Sequence, residues 1–181
     1  MEKITIVRKA QQEWMEFKKA VELEGRTGIA EITPNQHGRS WRPPIEGVYL
    51  INTDAAISSQ MIRTGKGIVA RNWKEEILKA WTIMEEKIGE PGLVEAVAIR
   101  TATQLGKEVG WRKLEIQSDC KSVIDCITTD SCNNCSYAII LEDMQKLGEF
   151  FDQCNFSFIY REGNEVCRLA KFTLNLVNYV Y

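Results

Sequence analysis

The chain has 181 residues, 44% hydrophobic and 27% charged, with a net charge of −2. That length holds one ordinary domain with a filled core plus an appendage, and the composition excludes a disordered or collagen-like chain. No apolar run approaches the roughly 18 residues of a membrane span, and the charged start MEKITIVRKAQQEW is not a signal peptide; an intracellular protein of nucleus or cytoplasm, without a membrane partner, is expected.

Residues 1–25 are expected to form an amphipathic helix. Val7, Ala10, Trp14, Phe17 and Val21 recur at spacings of three and four, with Lys, Glu and Gln between them. The pattern lasts about two heptads, too short for a coiled coil. The face carried by residues 7–21 is therefore expected to dock on the main body or on a protein partner. Residues 26–44 contain TPNQHG and RPP, breaker-rich and aperiodic, and read as a linker. His37, the single histidine, lies there, which excludes a histidine-built metal centre.

A domain is expected over residues 45–181. Val48–Ile51, Gly67–Ala70 and Ile77–Trp81 are short apolar runs with short connections, an antiparallel meander. Pro91-Gly92 opens a helix that runs to about Val109 and is closed by Gly110. Leu114-Glu115-Ile116 is strand-like and leads into a short helix around Lys121–Ile127, followed by a polar loop over Thr128–Ser136. Cys132 and Cys135 have redox or half-zinc spacing. Cys120, Cys126, Cys154 and Cys167 provide no second such pair, so structural or incidental thiols in a reducing compartment are expected.

Ile140, Met144, Leu147 and Phe151 mark the next helix, and Phe156, Phe158 and Tyr160 alternate as a half-buried strand. Gly163 turns the chain, and Asn164 is a natural N-cap for a last helix carrying Val166, Leu169, Ala170, Thr173 and Val177. The order βββαβααβα predicts an α/β (mixed α+β) fold, in which hairpin-linked strands pair antiparallel and helix-linked ones parallel.

Three acids fall at suggestive places. Asp54 follows the first strand, Glu95 stands in the first turns of the long helix, and Asp119 ends the fourth strand. Each alone has an ordinary local use, as a turn residue, a dipole-favoured helix residue or an N-cap. Together they stand where open sheets with helical crossovers gather functional groups, at the carboxyl ends of strands.

Trp41-Arg42-Pro43-Pro44, Asn52-Thr53-Asp54-Ala55-Ala56, Glu95-Ala96-Val97-Ala98-Ile99, Ser118-Asp119-Cys120 and Arg161-Glu162-Gly163-Asn164 occur in that order. Together they resemble the plant ribonuclease H type-1 domain, related to that of non-LTR retroelement reverse transcriptase polyproteins, over about residues 41–178. The resemblance implies a ribonuclease H-like fold, a five-stranded mixed sheet of order 3-2-1-4-5 with helices on both faces. It also implies endonucleolytic cleavage of RNA in RNA–DNA hybrids with two Mg2+ ions. Asp54 would bridge both ions, and Glu95 and Asp119 would hold the one beside the leaving group. Carboxylates suit such an ion, which is hard and takes oxygen ligands.

The family's fourth carboxylate corresponds to Arg168 here, with Glu162 and Glu165 as nearby substitutes. An arginine about 5 Å from a divalent ion would be repelled by roughly 7 kcal/mol at an effective dielectric near 20. The loop Arg161–Asn164 also lacks the histidine that some relatives use as a proton shuttle, and Thr128–Asn134 carries no basic handle. Hybrid binding is therefore expected to be weak and salt-sensitive, with a weakened nuclease as the first expectation. A catalytically inactive binding or interaction module of the same fold is the alternative.

Overall fold

The computed structural model describes residues 43–129, 135–164 and 166–174, without the side chains of Glu162, Arg168 and Phe172. The expected helix over 1–25, nearly all of the linker over 26–44, Cys132 and Glu165 lie outside the described residues.

Three strands open the domain, β1 (Tyr49–Ser58), β2 (Arg63–Arg71) and β3 (Ile77–Glu85), and they pair as an antiparallel meander. The first two are longer than their apolar runs, because backbone pairing continues to Ser58 opposite Arg63. Helix α1 (Pro91–Val109) starts with proline in its first turn, where a missing N–H costs nothing. It ends at Gly110, whose φ of 87° lets Gly110 and Trp111 donate to the carbonyls of Lys107 and Gly106.

The chain then crosses the sheet into β4 (Lys113–Ser118), which pairs parallel with β1. Helices α2 (Lys121–Thr129) and α3 (Ala138–Gly148) lead to β5 (Gln153–Phe158), which is parallel to β4. β5 stops at Phe158 because its partner strand ends opposite it at Ser118, so Tyr160, expected within this strand, lies outside it. A short 3-10 turn at Arg161–Gly163 precedes α4 (Val166–Leu174). The sheet order is β3-β2-β1-β4-β5, the order expected.

The larger core, with Ile51, Ile68, Trp81, Ile99, Leu114, Ile116 and Met144, fills the side of the sheet covered by α1. A smaller cluster of Val69, Ala80, Val166 and Leu169 lies under α4. Two contacts of β2 set how closely α4 sits. A Cβ at Gly65 would come within 2.5 Å of the Ala170 carbonyl oxygen, and one at Gly67 within 2.7 Å of the Ala170 nitrogen. Only glycine permits that approach, and Gly67 stands opposite Asp54 in the ladder. The amino end of α4 is thereby brought to the middle of β1.

Among the described residues no helix is long and apolar enough to cross a membrane. Among the described residues Cys120, Cys154 and Cys167 are free thiols, whereas Cys126 is disulfide-bonded rather than the structural or incidental thiol expected.

Candidate metal centre

β1 is paired with β4 only from Tyr49 to Asn52, while its pairing with β2 continues to Ser58. Beyond Asn52 the two parallel strands part, and a gap opens at the carboxyl end of β4. This is the switch point of the sheet, with an antiparallel neighbour on one side of β1 and a parallel crossover partner on the other. Asp54 lies within the strand at this gap rather than after the strand. Its backbone is therefore fixed by the ladder, and the residue is 2% exposed.

Asp119 follows the last residue of β4. The Cys120 N–H is taken by Ser118 Oγ at 3.1 Å, and Asp119 faces the gap with its side chain 11% exposed. Glu95 comes from the second turn of α1. Each of the three offers an oxygen, and these oxygens lie within 4.8 Å of one another. The site expected from the sequence is thus assembled by a strand, a strand end and a covering helix.

Packing three carboxylates together out of water disfavours their ionised forms. Burial, helped by the charges of Asp54 and Asp119, pushes the Glu95 carboxyl up to about 8 from its ordinary 4.5. Burial and the neighbouring Asp119 likewise raise Asp54 from 3.8 to about 6. The Ala55 backbone N–H opposes the shift at Glu95, yet Glu95 Oε2 is buried with no hydrogen-bond partner. Carboxylates crowded in this way form a cage that a hard cation relieves.

Three further residues border the cluster. Arg161 Nε lies 3.6 Å from Asp119 Oδ2, and its guanidinium donates to Cys167 Sγ at 3.7 Å. The Cys167 side chain lies beside Asp54 and opposes its upward shift. Asn164, read from sequence as an N-cap, uses its side chain otherwise. Its Nδ2 donates to the Thr53 carbonyl at 3.2 Å and reaches Asp119 Oδ1 at 3.5 Å, while its backbone carbonyl accepts from Cys167 N–H. The phrase Arg161-Glu162-Gly163-Asn164 was the available signal for Arg161 and Asn164. Nothing in the sequence pointed to Cys167. Side-chain positions at Arg168 and Glu162 lie outside the described residues, as does Glu165.

The sheet order, the crossover and the helices on both faces define a ribonuclease H-like fold. Residues 52–172, well over half of the chain, match the Reverse transcriptase-like family, and the chain belongs to that family. Among solved structures it resembles RNase H1 from the halophilic archaeon Halobacterium salinarum, with a TM-score of 0.62 and 16% identity over 68% of this chain and 93% of that one. The N-terminal RNase H domain of a Mycobacterium tuberculosis protein gives a TM-score of 0.63 at 15% identity, over 70% and 93%. LC11-RNase H1, solved in complex with RNA/DNA hybrid, gives 0.52 at 16%, over 65% and 88%. At these identities the likeness is one of fold. No curated protein matches the chain in sequence.

Proposed function

We propose that the chain is an RNA–DNA hybrid ribonuclease that hydrolyses phosphodiester bonds endonucleolytically with two Mg2+ ions. The observation that carries this reading is the convergence of Asp54, Glu95 and Asp119 oxygens within 4.8 Å at the switch point of the sheet. The donor set fits magnesium, being all carboxylate, and Glu95 Oε2 is buried without a partner. Asp54 would hold both ions, and Glu95 and Asp119 the one on the leaving-group side. Bound there, magnesium supplies a lowered water pKa and compensates the charge that develops on the phosphate.

The chain's own contribution is positioning. Asp54 is immobilised by the β1–β2 ladder, and Glu95 by the second turn of a helix packed on the sheet. Asp119 is held by the Asn164 amide. A hybrid partner is supported by the likeness to a ribonuclease H1 solved with such a duplex, which is recognised through backbone shape and the 2′-hydroxyl. With a net charge of −2, hybrid affinity is weak and falls steeply with salt. Glu162 and Glu165 remain the substitutes for the acid replaced by Arg168. The proposed catalytic domain is residues 45–181, and the sequence pattern of residues 7–21, outside the described residues, is the proposed face for a protein partner.

Cleavage of an RNA–DNA hybrid in magnesium, compared with Asp54→Asn, tests the activity. Equal background in both would remove catalysis. A second reading, an inactive module of the same fold, is favoured by Arg161 standing 3.6 Å from Asp119 and by the arginine at position 168. Under that reading magnesium leaves the melting temperature unchanged, whereas a working centre raises it.

A further inference from the structure

We propose that Asn164, through its side-chain oxygen Oδ1, is a fourth ligand of the cation held by Asp54, Glu95 and Asp119. The assignment rests on the metal-centre reading above and extends it to a residue that carries no charge.

Asn164 is 2% exposed, and both contacts of its Nδ2 are to acceptors, the Thr53 carbonyl at 3.2 Å and Asp119 Oδ1 at 3.5 Å. Only the amide nitrogen can donate, so these contacts fix which way the amide faces. Oδ1 takes part in neither, and it is buried with no hydrogen-bond partner. A buried carbonyl oxygen is rarely left in that condition. The two heteroatoms of an amide are about 2.3 Å apart, so Oδ1 lies within about 6 Å of the Asp119 oxygen.

The amide is also held from behind. Its residue precedes α4, and the contact of that helix with Gly65 and Gly67 sets its distance from β1. The Asn164 backbone carbonyl already accepts from Cys167 N–H at 3.2 Å, so the turn does not need the side chain. Side-chain amide oxygens are ordinary ligands of hard cations. This one adds an oxygen to the cluster without adding a further negative charge beside Arg161.

Terbium, a hard cation whose luminescence decay in H2O and D2O counts its bound waters, is the probe. Titrated into the wild-type protein, Asn164→Ala and Asn164→Asp, it should bind all three. Asn164→Ala should gain about one bound water and lose roughly tenfold in affinity, while Asn164→Asp keeps the wild-type water count. The water count separates a ligand from a residue that merely orients Asp119, since loss of an orienting residue weakens binding without opening a coordination position. An unchanged count in a folded Asn164→Ala overturns the assignment alone. Should that variant fail to fold, a raised count in Asn164→Asp overturns it equally. No terbium binding to the wild type would overturn both this assignment and the metal-centre reading.

Discussion

The two ends of the β1–β4 pair are built on opposite principles. At the amino end, Tyr49 and Trp111 stack with centroids 4.6 Å apart, and Trp81 meets Trp111 edge-on at 6.5 Å. Apolar surface is buried there against apolar surface, and the strands remain in register. At the carboxyl end, four residues further on, the strands part and three acids are crowded with a carboxylate oxygen left unpartnered. One end of the same strand pair stabilises the fold, and the other is held in an unfavourable state by the first. Local conflict maintained by surrounding structure is how functional sites are commonly built.

The largest test of this contrast is Asp54→Asn. Hybrid cleavage in magnesium should fall by about a thousandfold or more, as expected when several kcal/mol of charge stabilisation is removed. The metal-free variant should melt higher than the wild type, since a buried acid has become neutral. A lower melting temperature would break the claim that this end is strained. Trp111→Ala should behave in the opposite manner. It should lose about 3–5 kcal/mol in denaturant unfolding, while magnesium affinity per folded molecule stays unchanged.

The pH dependence follows from the same crowding. Asp54 and Glu95 have folded-state values raised to about 6 and about 8 from ordinary values of 3.8 and 4.5. An acid raised on folding contributes stability that is complete below its unfolded value and lost as pH rises through its folded value. The metal-free melting temperature should therefore drop between pH 4 and pH 8, and Glu95→Gln should flatten the upper part of that slope. Saturating magnesium should suppress the drop in the wild type. A melting temperature that rises across this window would contradict the burial of these acids.

The smallest effect is expected at Arg161, whose side chain is 67% exposed. Such a pair contributes about 0–1 kcal/mol, so Arg161→Gln should barely change stability. It should tighten magnesium binding by no more than roughly fivefold, by removing a positive charge beside Asp119. Isothermal titration at two salt concentrations measures this, and weaker binding in the variant would instead make Arg161 a supporting part of the site.

Much of the fold was legible because it depends on local pattern. Apolar runs marked the strands, Pro91 and Gly110 bounded the long helix, and short or helical connections distinguished antiparallel from parallel neighbours. The extents were less legible. β2 begins four residues before its apolar run, because pairing with Ser58 stabilises Arg63 as strand whatever its side chain. Asp54, Glu95 and Asp119 were legible through the phrases around them. Asn164 was legible as part of the phrase Arg161–Asn164 and, by its local sequence, as a helix cap, a use that its long-range bonds to Thr53 and Asp119 replace. Cys167 was not legible at all, since its contacts with Asp54 and Arg161 depend on where α4 lands.

By itself, the sequence determined the order of elements, the class of sheet and the three acids, since propensity, periodicity and turn chemistry act over a few residues. The tertiary structure alone decided which of those residues share a site. The parting of β1 from β4 after Asn52 opens the gap, and Gly65 and Gly67 let α4 approach closely enough to bring Asn164 and Cys167 to it. The raised acidity constants of Asp54 and Glu95 belong to that level too. Desolvation and like-charge repulsion arise from distance between groups up to 65 residues apart in the chain, which no local pattern encodes.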